Sequence, residues 1–259
     1  MASGAVRTRR SALLAALVCA LVASACGGGV FKPEYEYEEE LYLSLDGSAT
    51  LNVHASVASL VALRGVDLDP DPRARIDRRR VRALFEGAAD EVVLSLSRRD
   101  GRRFIHARID VDDVRDLSRL APFAWSAYRF DRQGDVFEFR QTVGAPPTRG
   151  RAASGGSQDF GWTGQELVAF RLHLPSEILF HNAPSGEIDR GNILVWEQPL
   201  SERLAGQPLD LQVDLETASI LFTTLVLFGT TVAAVALTFA LVVWLIARRG
   251  REGEMAGVR

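Results

Sequence analysis

From Glu34 onward, apolar and polar positions alternate. Tyr35, Tyr37, Leu41, Leu43 and Leu45 hold one parity and mostly Glu and Ser hold the other, the pattern of a half-buried strand. Asp46-Gly47 then marks a turn, and Leu51, Val53 and Ala55 resume the alternation, which predicts a hairpin. The device recurs with Val92, Leu94 and Leu96, the turn Asp100-Gly101, and Ile105, Ala107 and Ile109. A third copy runs from Tyr128 and Phe130 through Gln133-Gly134 to Phe137, Phe139 and Val143.

Between the hairpins the period changes. Asp77 is placed to cap a helix over Arg78 to Gly87, with Val81, Leu84 and Phe85 on one face. Asp112 precedes Val114, Leu117 and Leu120 in a second helix that Pro122 closes, and Ser56 to Leu63 predicts a third, short one. Two units, each a helix followed by a hairpin, thus occupy Asp77 to Ile109 and Asp112 to Val143, without identity enough to make a repeat. Hairpins interleaved with short helices predict an α+β fold on one mainly antiparallel sheet.

Residues 144 to 161 are rich in Gly, Pro, Ser and Ala and read as an exposed loop. Strands resume at Glu166, with Val168, Phe170, Leu172 and Leu174 on one parity and Pro175 ending the run. Ile178 to Asn182 and Asn192 to Glu197 read as a further pair joined by a Pro-Ser-Gly turn, and Leu209 to Leu215 as a last strand. Beyond it, Ala218 to Ala247 is uncharged for 30 residues, between Glu216 and Arg248-Arg249. As a helix it reaches about 45 Å at about 1.5 Å per residue, against about 30 Å of hydrocarbon, so it predicts one transmembrane helix. Arginines after Ala247 put the carboxyl terminus in the cytoplasm, as a basic tail over 248–259, with Trp244 at the interface on that side. Gly229, Ala233, Ala236 and Ala240 form a stripe of small residues, readable as a helix-packing face or as ordinary membrane-helix composition.

The other end changes the picture again. Arg7, Arg9 and Arg10, the apolar run Leu13 to Val22 and Ala23-Ser24-Ala25 have the three parts of an export signal, over residues 1–25. Cys26-Gly27-Gly28-Gly29 follows and resembles the lipobox of bacterial lipoproteins. That resemblance implies a diacylglyceryl thioether on Cys26 and a lipidated Gly-rich spacer over 26–33. An ordinary secretory signal, or an uncleaved anchor with an incidental cysteine, is the alternative reading. With lipid at one end and a helix at the other, the domain over 34–216 is pinned to the plasma (inner) membrane on its extracytoplasmic side.

Composition narrows the function. Of 259 residues, 47% are hydrophobic, and the mean hydropathy of +0.04 is high for a soluble chain. Setting aside seven terminal arginines, Glu252 and Glu254 leaves 23 basic and 31 acidic residues, a net −8 that speaks against nucleic acid. The two cysteines, Cys19 and Cys26, supply neither a disulfide framework nor a zinc cluster. Lys32 is the only lysine, which removes P-loop, kinase and Schiff-base chemistry.

Ser154 to Ser157 lie in the loop rather than on a nucleophile elbow. His54, His106 and His173 each oppose the apolar parity of their strand and read as members of a solvated face, while His181 has no clear parity. Glu34, Glu36, Glu38, Glu39 and Glu40 also read as a solvated face rather than a cation site. Arg98, Arg99, Arg102 and Arg103, and the run Arg73 to Arg82, read as solubilising turn and helix surfaces, with a headgroup site as the alternative. No catalytic residue, metal or cofactor is nominated.

The lipobox, the opening Leu43-Ser44-Leu45-Asp46-Gly47-Ser48, a final sheet, one helix and a short basic tail together resemble the LppM-type bacterial membrane lipoproteins. The stretch from Phe170-Arg171-Leu172-His173-Leu174-Pro175 through His181-Asn182 to Gly191-Asn192-Ile193-Leu194-Val195-Trp196 carries the resemblance most specifically. It implies an extracytoplasmic α+β domain likened to lipid-binding folds and a role at the envelope rather than in catalysis. Pro175, Asn182, Asn192 and Trp196 are read as fold-defining, not ligand-binding. The expectation is a non-enzymatic envelope lipoprotein that holds a lipid or other amphipathic ligand. The alternative is a scaffolding or assembly subunit for an envelope protein partner.

Overall fold

The computed structural model describes residues 34–124, 126–145 and 160–256. The expected α+β fold is present, with the strands divided between two sheets rather than gathered in one. β1 (Tyr35–Leu43), β2 (Ala49–Ser56), β3 (Glu91–Arg99), β4 (Arg102–Val111), β7 (Leu167–His173) and β9 (Ile193–Pro199) form the first, in the order β3-β4-β2-β1-β7-β9. The second holds β5 (Ser126–Gln133), β6 (Val136–Val143), β8 (Ser176–His181) and β10 (Leu209–Ser219), in the order β5-β6-β10-β8. Every pairing is antiparallel except β1 with β7, where Glu39 lies beside Phe170 and Leu41 beside Leu172.

The third hairpin leaves the first sheet because both of its strands carry aromatics inward. Tyr128, Phe130 and Phe139 are buried, and they join Tyr37, Phe170 and Trp196 of the other sheet in one contiguous core. Two facing sheets bury these rings better than one extended sheet with an open face. The three turns formed where Gly follows Asp or Gln. Gly47 (φ 91°), Gly101 (φ 75°) and Gly134 (φ 64°) occupy the left-handed region that closes tight hairpins without a Cβ clash.

α1 (Val57–Arg64) begins where the Ser56 hydroxyl accepts from the Ser59 N–H at 3.0 Å and ends at Gly65 in the left-handed conformation. It is buried along nearly its whole length. α2 (Arg78–Phe85) is capped by Asp77 as expected and buries only Val81 and Phe85. The helix expected after Asp112 is instead a 3-10 turn over Val114–Arg119, followed by another at Ala121–Phe123. Asp113 rather than Asp112 caps the first, and Pro122 leaves too few residues for a stable α-helix. α3 (Leu200–Leu204) is a single turn, and α4 (Ile220–Ala256) is the long C-terminal helix.

Candidate functional site

β10 lies inside the second sheet, between β6 and β8, and runs into α4 with no intervening residue. The strand extends through Ser219, two positions into the uncharged run, because Ser219 still pairs with Ser176 of β8. Its hydroxyl then accepts from the Phe222 N–H at 3.0 Å, and the Ile220 N–H donates to the Pro175 carbonyl at 3.1 Å. Strand and helix are thereby joined by local capping as well as by the chain. Ile220–Ile246 is long and apolar enough to cross a bilayer, and none of that span is buried. Gly229, Ala233, Ala236 and Ala240 lie on it, and a Cβ added at Gly229 meets nothing within 4 Å.

Pro175 and Asn192 lie where the chain crosses between sheets, and Asn182 and Trp196 form a second junction at the far end of β8. β7 stops at His173, and the chain passes through Leu174-Pro175 to pair with β10, so β8 and β9 belong to different sheets and are not the expected pair. Proline has no N–H to continue the first ladder, and its carbonyl is taken by Ile220. Asn192 sits at φ 63° and donates its side-chain amide to the carbonyls of Leu174 and Ser176, one on each side of the crossing. Asn182 Oδ1 accepts from Trp196 Nε1 at 3.1 Å and from the Gln212 N–H at 2.9 Å, while its Nδ2 donates to the Asp210 carbonyl. Trp196 is 1% exposed, so this hydrogen bond satisfies the only polar atom of a buried ring and links β9 to β10.

Two of the glutamates expected on a solvated face are buried, whereas Glu38 and Glu40 are partly exposed and pair with Arg171 and His173. Glu36 and Glu39 are 0% and 1% exposed. Glu39 falls on the inward parity of Tyr37 and Leu41, while an irregularity in the pairing with β7 between Tyr35 and Tyr37 turns Glu36 inward as well. Glu39 is paired with the buried Arg64 at the end of α1 and accepts from Tyr37 and from Gln141 Nε2 of the facing sheet. Gln141 also donates to Tyr128 Oη at 3.3 Å. Burial opposes charge on Arg64, yet the oxygens of Tyr37 and Glu39 outweigh it and raise the guanidinium above its ordinary range. Burial likewise pushes the Tyr37 and Tyr128 hydroxyls well up, so they remain protonated donors. Arg203, turned inward from α3, is pulled down to about 10 by burial and by Arg64, and it donates to the carbonyls of Val143 and Gly144.

A second buried charge group lies near the opposite end of β1. Arg102, whose side chain is 12% exposed, pairs with Glu36 at 2.5 Å and lies 3.8 Å from Glu166. The other oxygen of Glu36 accepts from Trp162 Nε1 at 3.2 Å. Burial opposes the Glu166 carboxylate, but the N–H groups of Thr163 and Gly164 hold it below its ordinary range. Arg103 is buried too, donating to the carbonyls of Asp69 and Ala74. These two arginines are therefore not the solubilising surface their spacing implied.

They line a cleft of about 250 Å³ with Val57, Pro70, Asp71, Pro72 and Phe160, which puts an apolar wall beside two guanidinium groups and one carboxylate. Ser56 lies on the same rim, so the first turn of α1 opens toward the cleft.

His54 and His106 lie directly opposite each other on β2 and β4, with their Nδ1 atoms 2.8 Å apart and Ser97 Oγ on His106 Nε2. Burial, His54 and Arg99 lower the His106 pKa. His173 is stacked on Tyr42 and bonded to Glu40 at 2.7 Å, and His181 Nδ1 accepts from the Ala183 N–H. The first three share the outer face of the first sheet, as their parity implied, in partnered rather than free form. Among the described residues no group of three His, Cys, Asp or Glu side chains is placed to hold a metal ion. Cys26, the signal over 1–25, the spacer with Lys32, and residues 146–159 of the loop with Ser154 to Ser157 lie outside the described residues.

No family model and no curated protein sequence matches the chain. Among solved structures it is similar to the folded domain of the Mycobacterium tuberculosis LppM protein, determined by NMR, at 11% identity and a TM-score of 0.41. That likeness covers 75% of this chain and 97% of that one.

Proposed function

We propose that the protein is a non-enzymatic cell-envelope lipoprotein. Its domain stands on the extracytoplasmic side of the plasma membrane, held there by lipid on Cys26 and by α4, with the carboxyl terminus in the cytoplasm. The observation that carries this reading is the direct passage of β10 into an apolar span of 27 residues with none of it buried. A 27-residue helix exceeds the roughly 20 residues that hydrocarbon requires, and Arg248 and Arg249 follow it as cytoplasmic anchors do.

The ligand is a lipid or other amphipathic molecule. The cleft beside Phe160 supports this, because Val57, Pro70 and Pro72 offer apolar contact while Asp71, Arg102 and Arg103 bring polar groups of both signs to the same walls. In spheroplasts, external protease is expected to digest the domain and spare the tail. A phospholipid with a photoactivatable acyl chain is expected to label peptides containing Val57 or Phe160 in addition to α4. Protection of the domain overturns the orientation, and labelling confined to α4 overturns the ligand.

A further inference from the structure

The two proposed anchors leave the body at different ends of its strands. Ile220 is bonded to Pro175, just past the C-terminal end of β7. β1 is parallel to β7, and Tyr35 pairs with Leu167 at the N-terminal end. Tyr35 therefore lies a strand length from the helix, about 30 Å for the nine residues of β1 at about 3.3 Å each. The apolar span of 27 residues adds to that height, since at about 1.5 Å per residue it reaches about 40 Å against about 30 Å of hydrocarbon.

From Cys26 to Tyr35 there are nine peptide steps, which reach about 30 Å only at full extension. A relaxed Gly-containing segment of that length spans roughly 16–18 Å. With strands upright on the bilayer, the lipidated terminus comes under tension. With the body tipped over, the tension is released.

We propose that the domain lies on its side and docks the edge formed by β8 and the loop 182–192 into the outer leaflet that holds α4. This edge joins the two ends in question: β8 starts at Ser176 beside the helix, and the loop beyond it reaches Tyr35, sharing a cleft with it through Pro184, Ser185 and Glu187. It also carries exposed apolar side chains. Among the described residues outside α4 the large exposed hydrophobics are Tyr42, Val93, Leu179, Phe180 and Ile188, and the last three, 47–49% exposed, fall on this edge. Phe and Leu at the acyl boundary stabilise interfacial docking by apolar burial. The neighbouring Glu177, Glu187, Asp189 and Glu197 outnumber Arg171 and Arg190, so anionic lipid is not expected to strengthen the contact.

The inference rests on the double-anchor reading above, and its test separates the two. The full chain is purified from membranes with Phe180→Cys, spin-labelled, and reconstituted into phosphatidylcholine vesicles, with or without phosphatidylglycerol. Cys19 departs with the signal and a lipidated Cys26 has no thiol, so the label is unique. Val93→Cys, on the far edge strand β3, is the control, and Ile188→Cys is a second probe should Phe180→Cys fold poorly.

The ratio of oxygen to water-soluble nickel-chelate accessibility is expected to be severalfold higher at 180 and 188 than at 93, in both vesicle types. Equal ratios, in protein whose N-terminal peptide carries the diacylglyceryl group by mass spectrometry, overturn the docking and leave the anchors standing. An N-terminal peptide without lipid overturns the double anchor, and the docking with it.

Discussion

Arg64 and Glu39 provide the sharpest test of how the two sheets are held together. Their side chains are each 2% exposed, and Glu39 also contacts Gln141 across the sheet interface. Replacing Arg64 by Met keeps most of the aliphatic stem while removing the countercharge and the guanidinium that lies 4.7 Å over the Tyr37 ring. Breaking a buried pair from one side costs about 3–5 kcal/mol, because the remaining charge stays desolvated. For a domain of this size each kcal/mol lowers the melting temperature by about 2–4 °C, so Arg64→Met is expected to melt roughly 6–20 °C lower.

The second variant decides the cause. Arg64→Met with Glu39→Gln keeps one acceptor, for Tyr37, and can meet a flipped Gln141 amide with its NH2 while removing the stranded charge, and it is expected to recover at least half of the loss. The assay is thermal unfolding of the full chain in mild detergent, followed by near-ultraviolet circular dichroism from the buried Tyr and Trp rings. If the double variant loses the sum of the two single losses to within about 0.5 kcal/mol, the residues are not coupled and the account of the interface fails.

Other expectations concern the crossing and the outer face. Asn182→Ala leaves the Trp196 Nε1 and Gln212 N–H without their acceptor and is expected to cost about 1–3 kcal/mol, read from the same melts. At φ 63°, Asn192→Gly keeps the backbone and loses only the two amide bonds, so it is expected to be milder than Asn192→Ala, which loses both; equal melting temperatures remove the backbone argument. Burial, His54 and Arg99 lower the His106 pKa, so the unfolded chain takes up the proton first as pH falls through about 6.5. Stability then declines until pH passes the folded value; His106→Gln is expected to lessen that decline between neutral and mildly acid pH, and an unchanged profile speaks against it.

The hairpins were legible because each is local: alternating residues on either side of a Gly-containing turn specify both strands and their register. α1 and α2 were legible from Ser56 and Asp77 for the same reason. What the pattern did not reveal depends on distant partners. Glu39 occupies an inward parity between Tyr37 and Leu41, and that position is visible in the sequence. The partner that makes it tolerable is Arg64, 25 residues away on another element. The division into two sheets, the parallel pairing of β1 with β7 and the separation of β8 from β9 are likewise decided by non-local packing. Pro175 announces that a strand ends but not where the chain goes next. Arg102 and Arg103 look like a wet turn until Glu36 and Glu166 are brought beside the first and the carbonyls of Asp69 and Ala74 beside the second.

The placement of β10 has a mechanical consequence. An interior strand, flanked by β6 and β8 over most of its length, is the one that continues into the apolar helix. A force directed along β10 would load both flanking ladders in shear, with many hydrogen bonds strained together, whereas an edge strand peeled sideways would open like a zip. An interior strand is in this way the firmer place to join the helix to the body.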